Sequence, residues 1–305
     1  MSKLVIIDSH ALLHRAYHAL PKDSLTQGGK PINAVYGFFS MLLSSIDGLE
    51  PDYLICCFDA PGPTFRHEKF IGYQAHRPKM EDELKSQIDL TRETIEGASI
   101  PMKMVEGYEA DDLAGTISRQ LKVKSEKLKV ENVIIVTGDK DLMQLVDDQT
   151  SLFLLGRGIS GGELVGPEEV EENLGVKPEQ VIDYKALIGD SSDNYPGVYG
   201  IGPKTAEKLF DKYDTVKEIY DHLDEFPGTI QSKLEKGMES AKLSYELAKI
   251  VTDAPIEVDW DKAKLTDQKL IRLKKSLESL NFRSLVRRIE EKFDAGHTDS
   301  QMKLI

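Results

Sequence analysis

The chain has 305 residues, 40% of them hydrophobic, which is enough apolar material for the core of one large domain or two smaller ones. It has no run of about 18 apolar residues, and Asp8 interrupts the N-terminal apolar stretch too early for a secretory signal, so we expect a cytoplasmic protein without a membrane span. The net charge of −13 disfavours nucleic acid as a partner, but the basic residues are clustered, so total charge does not exclude it.

Short apolar runs predict buried parallel strands, because each is too brief for a helix. The predicted strands cover residues 4–8, 53–59, 132–141 and 151–155. Amphipathic stretches of helical length lie at about 31–47, 81–97 and 110–123. This alternation predicts an α/β domain with a central, mostly parallel sheet over residues 1–166, in which the Gly-rich stretch 156–166 forms a turn.

Acidic residues are concentrated where the predicted strands end. In an open parallel sheet, ligands bind beyond the carboxyl ends of the strands, so these side chains are predicted to meet at one edge. The segment GYEADDLAG adds three carboxylates at a helix start, and GDSSDN adds two from a later helical region. The predicted cluster consists of Asp8, Asp59, Glu109, Asp111, Asp112, Asp139, Asp141, Asp190 and Asp193.

So many carboxylates in one pocket cannot all remain ionised unless cations neutralise them. Hard oxygen ligands favour Mg²⁺ or Mn²⁺, and their number suits two ions that share carboxylates and waters. Two ions about 4 Å apart are a common device for phosphodiester hydrolysis. Any single aspartate of the set is more simply explained as a cap or turn residue, so it is the joint placement that indicates a metal site.

The insertion at 63–82, between a strand and the next helix, is too long for an ordinary connection. Insertions beside strand ends are usually functional or mobile. Its aromatic residues Phe65, Phe70 and Tyr73 either stack on unpaired bases or pack the insertion onto the body.

The segment SHALLHRAYHA places three histidines at helical spacing, His10, His14 and His18. Such spacing can bind zinc, but no glutamate lies between them, which favours packing and a contact with DNA. Arg15 on the same helix is either a phosphate clamp or an ordinary surface charge.

From about residue 167 to 292 the pattern is helical only, and residues 293–305 lack periodicity, which indicates a tail or a linker. Within the helical part, GVYGIGPKTAEKLF approaches a Walker A loop, but Pro203 replaces the required lysine and excludes a P-loop. The segment instead predicts a helix-hairpin-helix element whose backbone N–H groups approach a DNA phosphate, with an ordinary Gly-rich turn as the alternative. Its candidate DNA-binding residues are Gly197, Gly200, Gly202, Lys204 and Thr205.

The ordered motifs IIDSHALLHRAYHA, FDAPGPTFRHE, YQAHRP, GYEADD, TGDKDLMQL, GDSSDNYPGV and GIGPKTA resemble the 5′ nuclease (5′-3′ exonuclease) domain of bacterial DNA polymerase I, in the flap endonuclease family. The resemblance covers about residues 1–290. It implies a PIN-like domain with a helical arch at about 63–100. It also implies a helix-three-turn-helix motif at about 178–212 that grips duplex DNA, often with K⁺.

The resemblance also implies roles for individual residues. It assigns Asp8, Asp59, Glu109 and Asp111, with Asp112 close by, to a first metal site, and Asp139, Asp141, Asp190 and Asp193 to a second. Arg15, Arg66, Tyr73 and Arg77 match arch or gateway positions that handle the scissile phosphate and the unpaired 5′ strand. Gln74 is a departure, because the family usually has lysine there, and its loss is expected to slow the chemistry rather than abolish it.

The implied function is a structure-specific 5′-3′ exonuclease and flap endonuclease of DNA replication and repair. Its expected substrates are DNA with 5′ flaps, nicks or ends and RNA primers paired to DNA. We expect a monomer that is either a standalone nuclease or part of, or a partner of, a DNA polymerase. Two alternatives stay open: a non-catalytic or weakly catalytic junction-binding module, because of Gln74, and a PIN-type ribonuclease acting on single-stranded RNA.

Overall fold

The computed structural model describes residues 2–128, 130–156, 158–159 and 161–302, with only the backbone described for residues 23, 124–128 and 295–302. A six-stranded sheet lies between two groups of helices. Among these residues, no helix combines the length and the apolar character needed to cross a membrane.

The sheet contains six of the strands, and a separate antiparallel pair contains the other two. The strands are β1 Ser2–Asp8, β2 Thr26–Gln27, β3 Lys30–Pro31, β4 Tyr53–Cys57, β5 Met102–Lys103, β6 Val130–Thr137, β7 Thr150–Leu155 and β8 Gly162–Val165. The order across the sheet is β5-β4-β1-β6-β7-β8, and every neighbouring pair is parallel except β7 and β8. The predicted mostly parallel α/β sheet is therefore confirmed.

Helices account for most of the remaining chain. They are α1 Ser9–Ala19, α2 Asn33–Leu49, α3 Phe65–Lys69, α4 Asp82–Gly97, α5 Ala110–Leu128, α6 Pro167–Leu174, α7 Val181–Ile188, α8 Pro203–Phe210, α9 Val216–Asp221, α10 Gly228–Ala248, α11 Trp260–Ala263, α12 Asp267–Ser279 and α13 Arg283–Met302. The helix-only pattern predicted from residue 167 is confirmed, since the described chain from there to 302 has no strand beyond isolated bridges.

The central strand β1 is apolar on both faces because helices cover both. Leu4 and Ile6 pack into a core that includes α5, whereas Val5 and Ile7 pack into a second core that includes α1 and α2. All four side chains are fully buried. This burial explains the continuous apolar run of the strand and fixes where its carboxyl end lies.

Two segments differ from the sequence-based predictions. The stretch 156–166, predicted as a turn, contains the antiparallel edge strand β8, of which only Val165 is buried, so it carries little apolar signal. Residues 293–302, predicted as part of a tail or a linker, are helical and form the end of α13, and residues 303–305 lie outside the described part.

The helix α4 forms part of the packed body, although we included its residues in the predicted arch at 63–100. Its face with Leu84, Ile88 and Ile95 is buried, and it packs against α2 and α12. Within the predicted arch, it is the segment before α4 that contacts the site described next, for example through Arg66, Tyr73 and Arg77.

Candidate active site

The ends of β1 and β6 present carboxylates that are joined through one threonine. Asp8, the last residue of β1, caps α1 by accepting the Ala11 N–H at 3.2 Å. The Thr137 hydroxyl, at the end of β6, donates to Asp8 at 2.7 Å and accepts the Asp139 N–H at 3.0 Å. Asp139 in turn accepts the Asp141 N–H at 2.9 Å and caps a 3-10 helix. Local backbone capping therefore fixes the orientation of these acids.

The end of β4 contributes Asp59 to the same edge of the sheet. Asp59 accepts the N–H of Ala110, the first residue of α5, at 2.7 Å, so it is attached to the helix that carries the acidic triplet. Its own N–H donates to Nδ1 of His10 at 3.0 Å. Glu109, just before α5, accepts the Thr64 hydroxyl at 3.2 Å. The first three predicted strand ends thus meet at the start of α5.

Asp112 forms a buried ion pair with Arg66. The guanidinium donates to both carboxylate oxygens at 2.8 Å, and Asp112 also accepts the Val251 N–H at 2.8 Å. Arg66 further donates to the carbonyls of Leu247 at 3.0 Å and Lys249 at 3.1 Å. Asp112 is fully buried and Arg66 is 1% exposed. This pair ties α3 and α5 to the segment after α10.

These contacts give Asp112 and Arg66 partners inside the protein. In this structure both oxygens of Asp112 accept hydrogen bonds from Arg66. The guanidinium of Arg66 faces carboxylates and backbone carbonyls in the interior. Sequence spacing could not separate Asp111 from Asp112, because the difference depends on a partner 46 residues earlier in the chain.

The loop after α7 brings the last two acids to the site. Asp190 accepts hydrogen bonds from the N–H of Ser192 at 2.6 Å and of Asp193 at 3.1 Å. Nζ of Lys185, on α7, lies 2.6 Å from Asp190 and 2.5 Å from Asp141. Lys185 was not predicted from the sequence, and it links the helical part to the end of β6.

Three residues of the predicted arch contact Asp193. The Tyr73 hydroxyl oxygen lies 3.1 Å from a carboxylate oxygen of Glu109 and 3.1 Å from one of Asp193, so the two acids share its single proton. Gln74 and Arg77 donate to Asp193 at 3.2 and 2.6 Å. Tyr73 is 3% exposed, so here it packs rather than offering a face to a base, whereas the Arg77 side chain is 53% exposed. Tyr73 thereby connects an acid beside α5 with an acid beside α7.

The carboxylates disfavour one another's charge. Burial is the main cause that raises the pKa of Asp8, Glu109 and Asp141 to about 7, and neighbouring acids add to it: Asp59 for Asp8 and Glu109, and Asp139 for Asp141. Burial and Asp112 likewise raise the pKa of Asp111 well above its ordinary value. Burial also raises the pKa of Asp139, and Asp193 adds to that effect.

The donor set fits divalent cations, although the ligand shell is not closed. Within the described ranges, no three acidic, histidine or cysteine side chains converge closely enough to hold an ion as they stand. Two protein cations, Arg66 and Lys185, instead lie among the acids. The pKa values of Asp8, Asp111 and Asp141 are raised first by burial and then by neighbouring acids, so bound cations would stabilise the ionised cluster.

Arg15 and the histidines of α1 lie beside this cluster. Arg15 donates to the backbone carbonyl of Gly156, just after β7. Its guanidinium packs against Gly138, where the Cβ of any other residue would lie 3.0 Å from a guanidinium nitrogen. His14 and His18 have ring centroids 6.3 Å apart and are exposed. In the described residues they are not part of any group of three side chains that could hold a metal ion.

The predicted helix-hairpin-helix element is formed by α7, the loop 189–202 and α8. Gly197 has φ +60°, and a side chain there would lie 2.3 Å from the Gly189 nitrogen, so two glycine backbones pack directly together. Gly202 caps α8 and has open space around its Cα, which leaves the helix N-terminus accessible. Lys204 is exposed on the first turn, and Tyr199, which we did not predict, is 96% exposed.

Family models match nearly the whole chain. The 5′-3′ exonuclease N-terminal resolvase-like domain matches residues 3–175, and the 5′-3′ exonuclease C-terminal SAM fold matches residues 176–270. The chain is 36% identical to a 5′-3′ exonuclease of Aquifex aeolicus, with 96% of this chain and 97% of that protein aligned. It is 39% identical to DNA polymerase I of Caldicellulosiruptor bescii over 94% of this chain, but it spans only 33% of that protein.

Solved structures share the fold at lower identity. The T5 5′-exonuclease with bound zinc ions matches with a TM-score of 0.66 and 24% identity, over 91% of this chain and 99% of that one. The catalytic core of Rad2 in complex with DNA matches with a TM-score of 0.57 and 16% identity, over 94% and 92% of the two chains.

Proposed function

Since the chain belongs to the 5′-3′ exonuclease family, we propose that its carboxylate cluster hydrolyses phosphodiesters at the 5′ ends and flap junctions of DNA. The observation that carries this proposal is the meeting of acids from three strand ends, from the start of α5 and from the loop after α7. A cluster of this charge suits a negatively charged phosphodiester only when cations lie between them.

The cations in this proposal are two Mg²⁺ or Mn²⁺ ions, which supply an activated water and stabilise the leaving oxygen. Asp8, Asp59, Glu109 and Asp111 would hold one ion, and Asp139, Asp141, Asp190 and Asp193 the other. Asp112 is left out because it neutralises Arg66, and its proposed role is to fix the start of α5, where Glu109 and Asp111 lie.

The residues that contact the unpaired strand are proposed from position and exposure. Arg77 is half-exposed and paired only at its tip with Asp193, so it can exchange that carboxylate for a phosphate. Arg15 would act near the ends of β6 and β7. Tyr73 would position Glu109 and Asp193 by its hydroxyl rather than stack on a base.

The helix-hairpin-helix element is proposed to hold duplex DNA by its backbone. The accessible N-terminus of α8 at Gly202, with Lys204 and Thr205 on the first turn, suits a phosphate. Gly197 and Gly200, with φ +60° and +81°, shape the hairpin, and K⁺ would bind at this element together with the phosphate. Such contacts do not distinguish sequences, so specificity would arise from the shape of the junction.

The proposed substrates are DNA with 5′ flaps, nicks or ends and RNA primers paired to DNA, in replication and repair. We propose that the chain acts as a monomer, and that it works beside or within a DNA polymerase, as the polymerase relatives suggest. The direct experiment is a labelled 5′ flap incubated with the protein in Mg²⁺ and in EDTA. Cleavage near the junction in Mg²⁺ alone supports the proposal, and cleavage of single-stranded RNA in preference to the flap would favour a PIN-type ribonuclease.

Gln74 provides a test of the weakly catalytic alternative. Its amide donates to Asp193 at 3.2 Å, so a lysine there would add a cation beside the proposed second ion. We expect the wild type to cleave, and Gln74→Lys to raise the single-turnover rate by about tenfold to a hundredfold. Gln231→Lys, on α10, is the matched control. Binding without cleavage by the wild type, with cleavage restored by Gln74→Lys, would establish the non-catalytic module instead.

Lys204 provides a test of the duplex-binding surface. We expect Lys204→Ala to weaken binding of a duplex with a 5′ flap by a similar factor for every sequence, and to reduce the slope of log K against log salt by about 1. Fluorescence anisotropy at several salt concentrations measures both quantities. Lys217→Ala is the control, because Lys217 is exposed on α9 outside this element. If Lys204→Ala leaves the slope of log K against log salt unchanged, the duplex does not bind at α8.

A further inference from the structure

Lys185 is a buried cation held between two of the proposed metal ligands. Its Nζ lies 2.5 Å from Asp141 and 2.6 Å from Asp190, and only 11% of its side chain is exposed. The two acids come from different parts of the chain, Asp141 from the 3-10 helix after β6 and Asp190 from the loop after α7. The ammonium therefore occupies the space in which both carboxylates converge.

The surroundings of Lys185 are strongly acidic. Asp139 and Asp193 lie beside Asp141 and Asp190, because Asp139 accepts the Asp141 N–H at 2.9 Å and Asp190 accepts the Asp193 N–H at 3.1 Å. Arg77 neutralises Asp193 from the arch side, whereas Lys185 faces Asp141 and Asp190 from α7. The other hydrogen bonds to Asp190 come from the N–H groups of Ser192 and Asp193 and from the Ser192 hydroxyl, which carry no charge. Lys185 thus supplies positive charge to both Asp141 and Asp190.

A divalent ion and this ammonium compete for the same oxygens. Nζ of Lys185 lies 2.5 Å from Oδ1 of Asp141 and 2.6 Å from Oδ2 of Asp190, so a divalent ion bound to the same carboxylates would lie close to the ammonium. The two positive charges would repel each other at that range. Movement of Lys185 away from Asp141, Asp190 or both would relieve this repulsion.

We propose that Lys185 is an internal counter-ion that occupies the second metal position in the metal-free protein and is displaced when the ion binds. The proposal rests on the two-metal function above. It makes Lys185 a positioning residue that couples metal binding to α7, since release of its ammonium removes a link between the hairpin element and the sheet.

The test is a Mn²⁺ titration of the full chain without DNA, followed by electron paramagnetic resonance. We expect Lys185→Met to raise the affinity of the weaker Mn²⁺ site by about tenfold or more, and to leave the tighter site unchanged. Lys185→Gln should act in the same direction. Lys242→Met, an exposed lysine on α10 paired with Glu239, should match the wild type.

Thermal unfolding with and without Mn²⁺ is a second measurement. If Lys185 had only a structural role, Mn²⁺ would not reduce the difference in melting temperature between variant and wild type. Without Mn²⁺, Lys185→Met should melt below the wild type, because its carboxylates lose their counter-ion, and saturating Mn²⁺ should close the gap. An unchanged or weaker second site in both variants, or a melting deficit that Mn²⁺ does not reduce, would overturn the proposal. A wild type that binds Mn²⁺ but cleaves no flap would instead contradict the nuclease function.

Discussion

Replacing Asp139 by asparagine is expected to reduce the single-turnover cleavage of a 5′ flap by about a thousandfold or more, because a bound metal contributes several kcal/mol to the transition state. Asp139 interacts with acids from several parts of the cluster. Its charge affects the pKa of Asp8, Asp111 and Asp141, which come from three different segments. The asparagine side chain would keep an oxygen to accept the Asp141 N–H, so the local fold should survive.

Measuring the affinity for the flap distinguishes a variant that cannot cleave from one that cannot bind the substrate. We expect Asp139→Asn to bind the flap as tightly as the wild type, since the duplex contacts proposed at α8 are untouched. Asp261→Asn, an exposed acid on α11 with a 91% exposed side chain, is the control and should cleave normally. Normal cleavage by Asp139→Asn would show that Asp139 takes no part in the reaction.

Replacing Arg66 by methionine is expected to destabilise the protein by about 3–5 kcal/mol, because it leaves Asp112 as a buried charge without its partner. The pair is bidentate at 2.8 Å, and Asp112 is fully buried. Arg66 also satisfies the carbonyls of Leu247 and Lys249, so two backbone acceptors lose a donor as well. Urea unfolding followed by circular dichroism measures the change.

The double variant distinguishes an ion pair from general packing. Arg66→Met together with Asp112→Leu removes both charges, and it should be less destabilised than the sum of the two single changes. Lys85→Met, which breaks an exposed pair with Asp82, should change stability by less than about 0.5 kcal/mol. Full stability of Arg66→Met would contradict the structural role of the ion pair. The role implied by the resemblance, a contact with the phosphate, would then be the better explanation for Arg66.

Much of the site could be predicted because parallel strands end at a common edge. Asp8, Asp59 and Asp139 follow from that rule alone, since each comes at or just after an apolar run. The same rule does not place Asp190 and Asp193, because helix spacing says nothing about which loop meets a distant sheet. They join the others as acids of the GDSSDN segment, and the family resemblance implies the same placement.

The residues that sequence reasoning missed depend on tertiary partners. Lys185 precedes Asp190 by five positions, and neither a helix nor a strand brings side chains together at that spacing. Its second partner, Asp141, lies in a distant segment of the chain. The burial of Arg66 and Tyr73 has the same origin, because short segments with mixed polarity do not reveal which face is covered. The end of α13 was missed since its last turns are polar and lack an apolar stripe in the sequence.

The most direct test of the two-metal hypothesis is a crystal structure of the protein soaked in Mn²⁺, with anomalous scattering used to locate the ions. The hypothesis predicts two peaks about 4 Å apart. One should lie among Asp8, Asp59, Glu109 and Asp111, and the other should lie by Asp141 and Asp190 with Lys185 turned aside. Saturating Mn²⁺ with no peak at these acids, or a peak only at the histidines of α1, would contradict it.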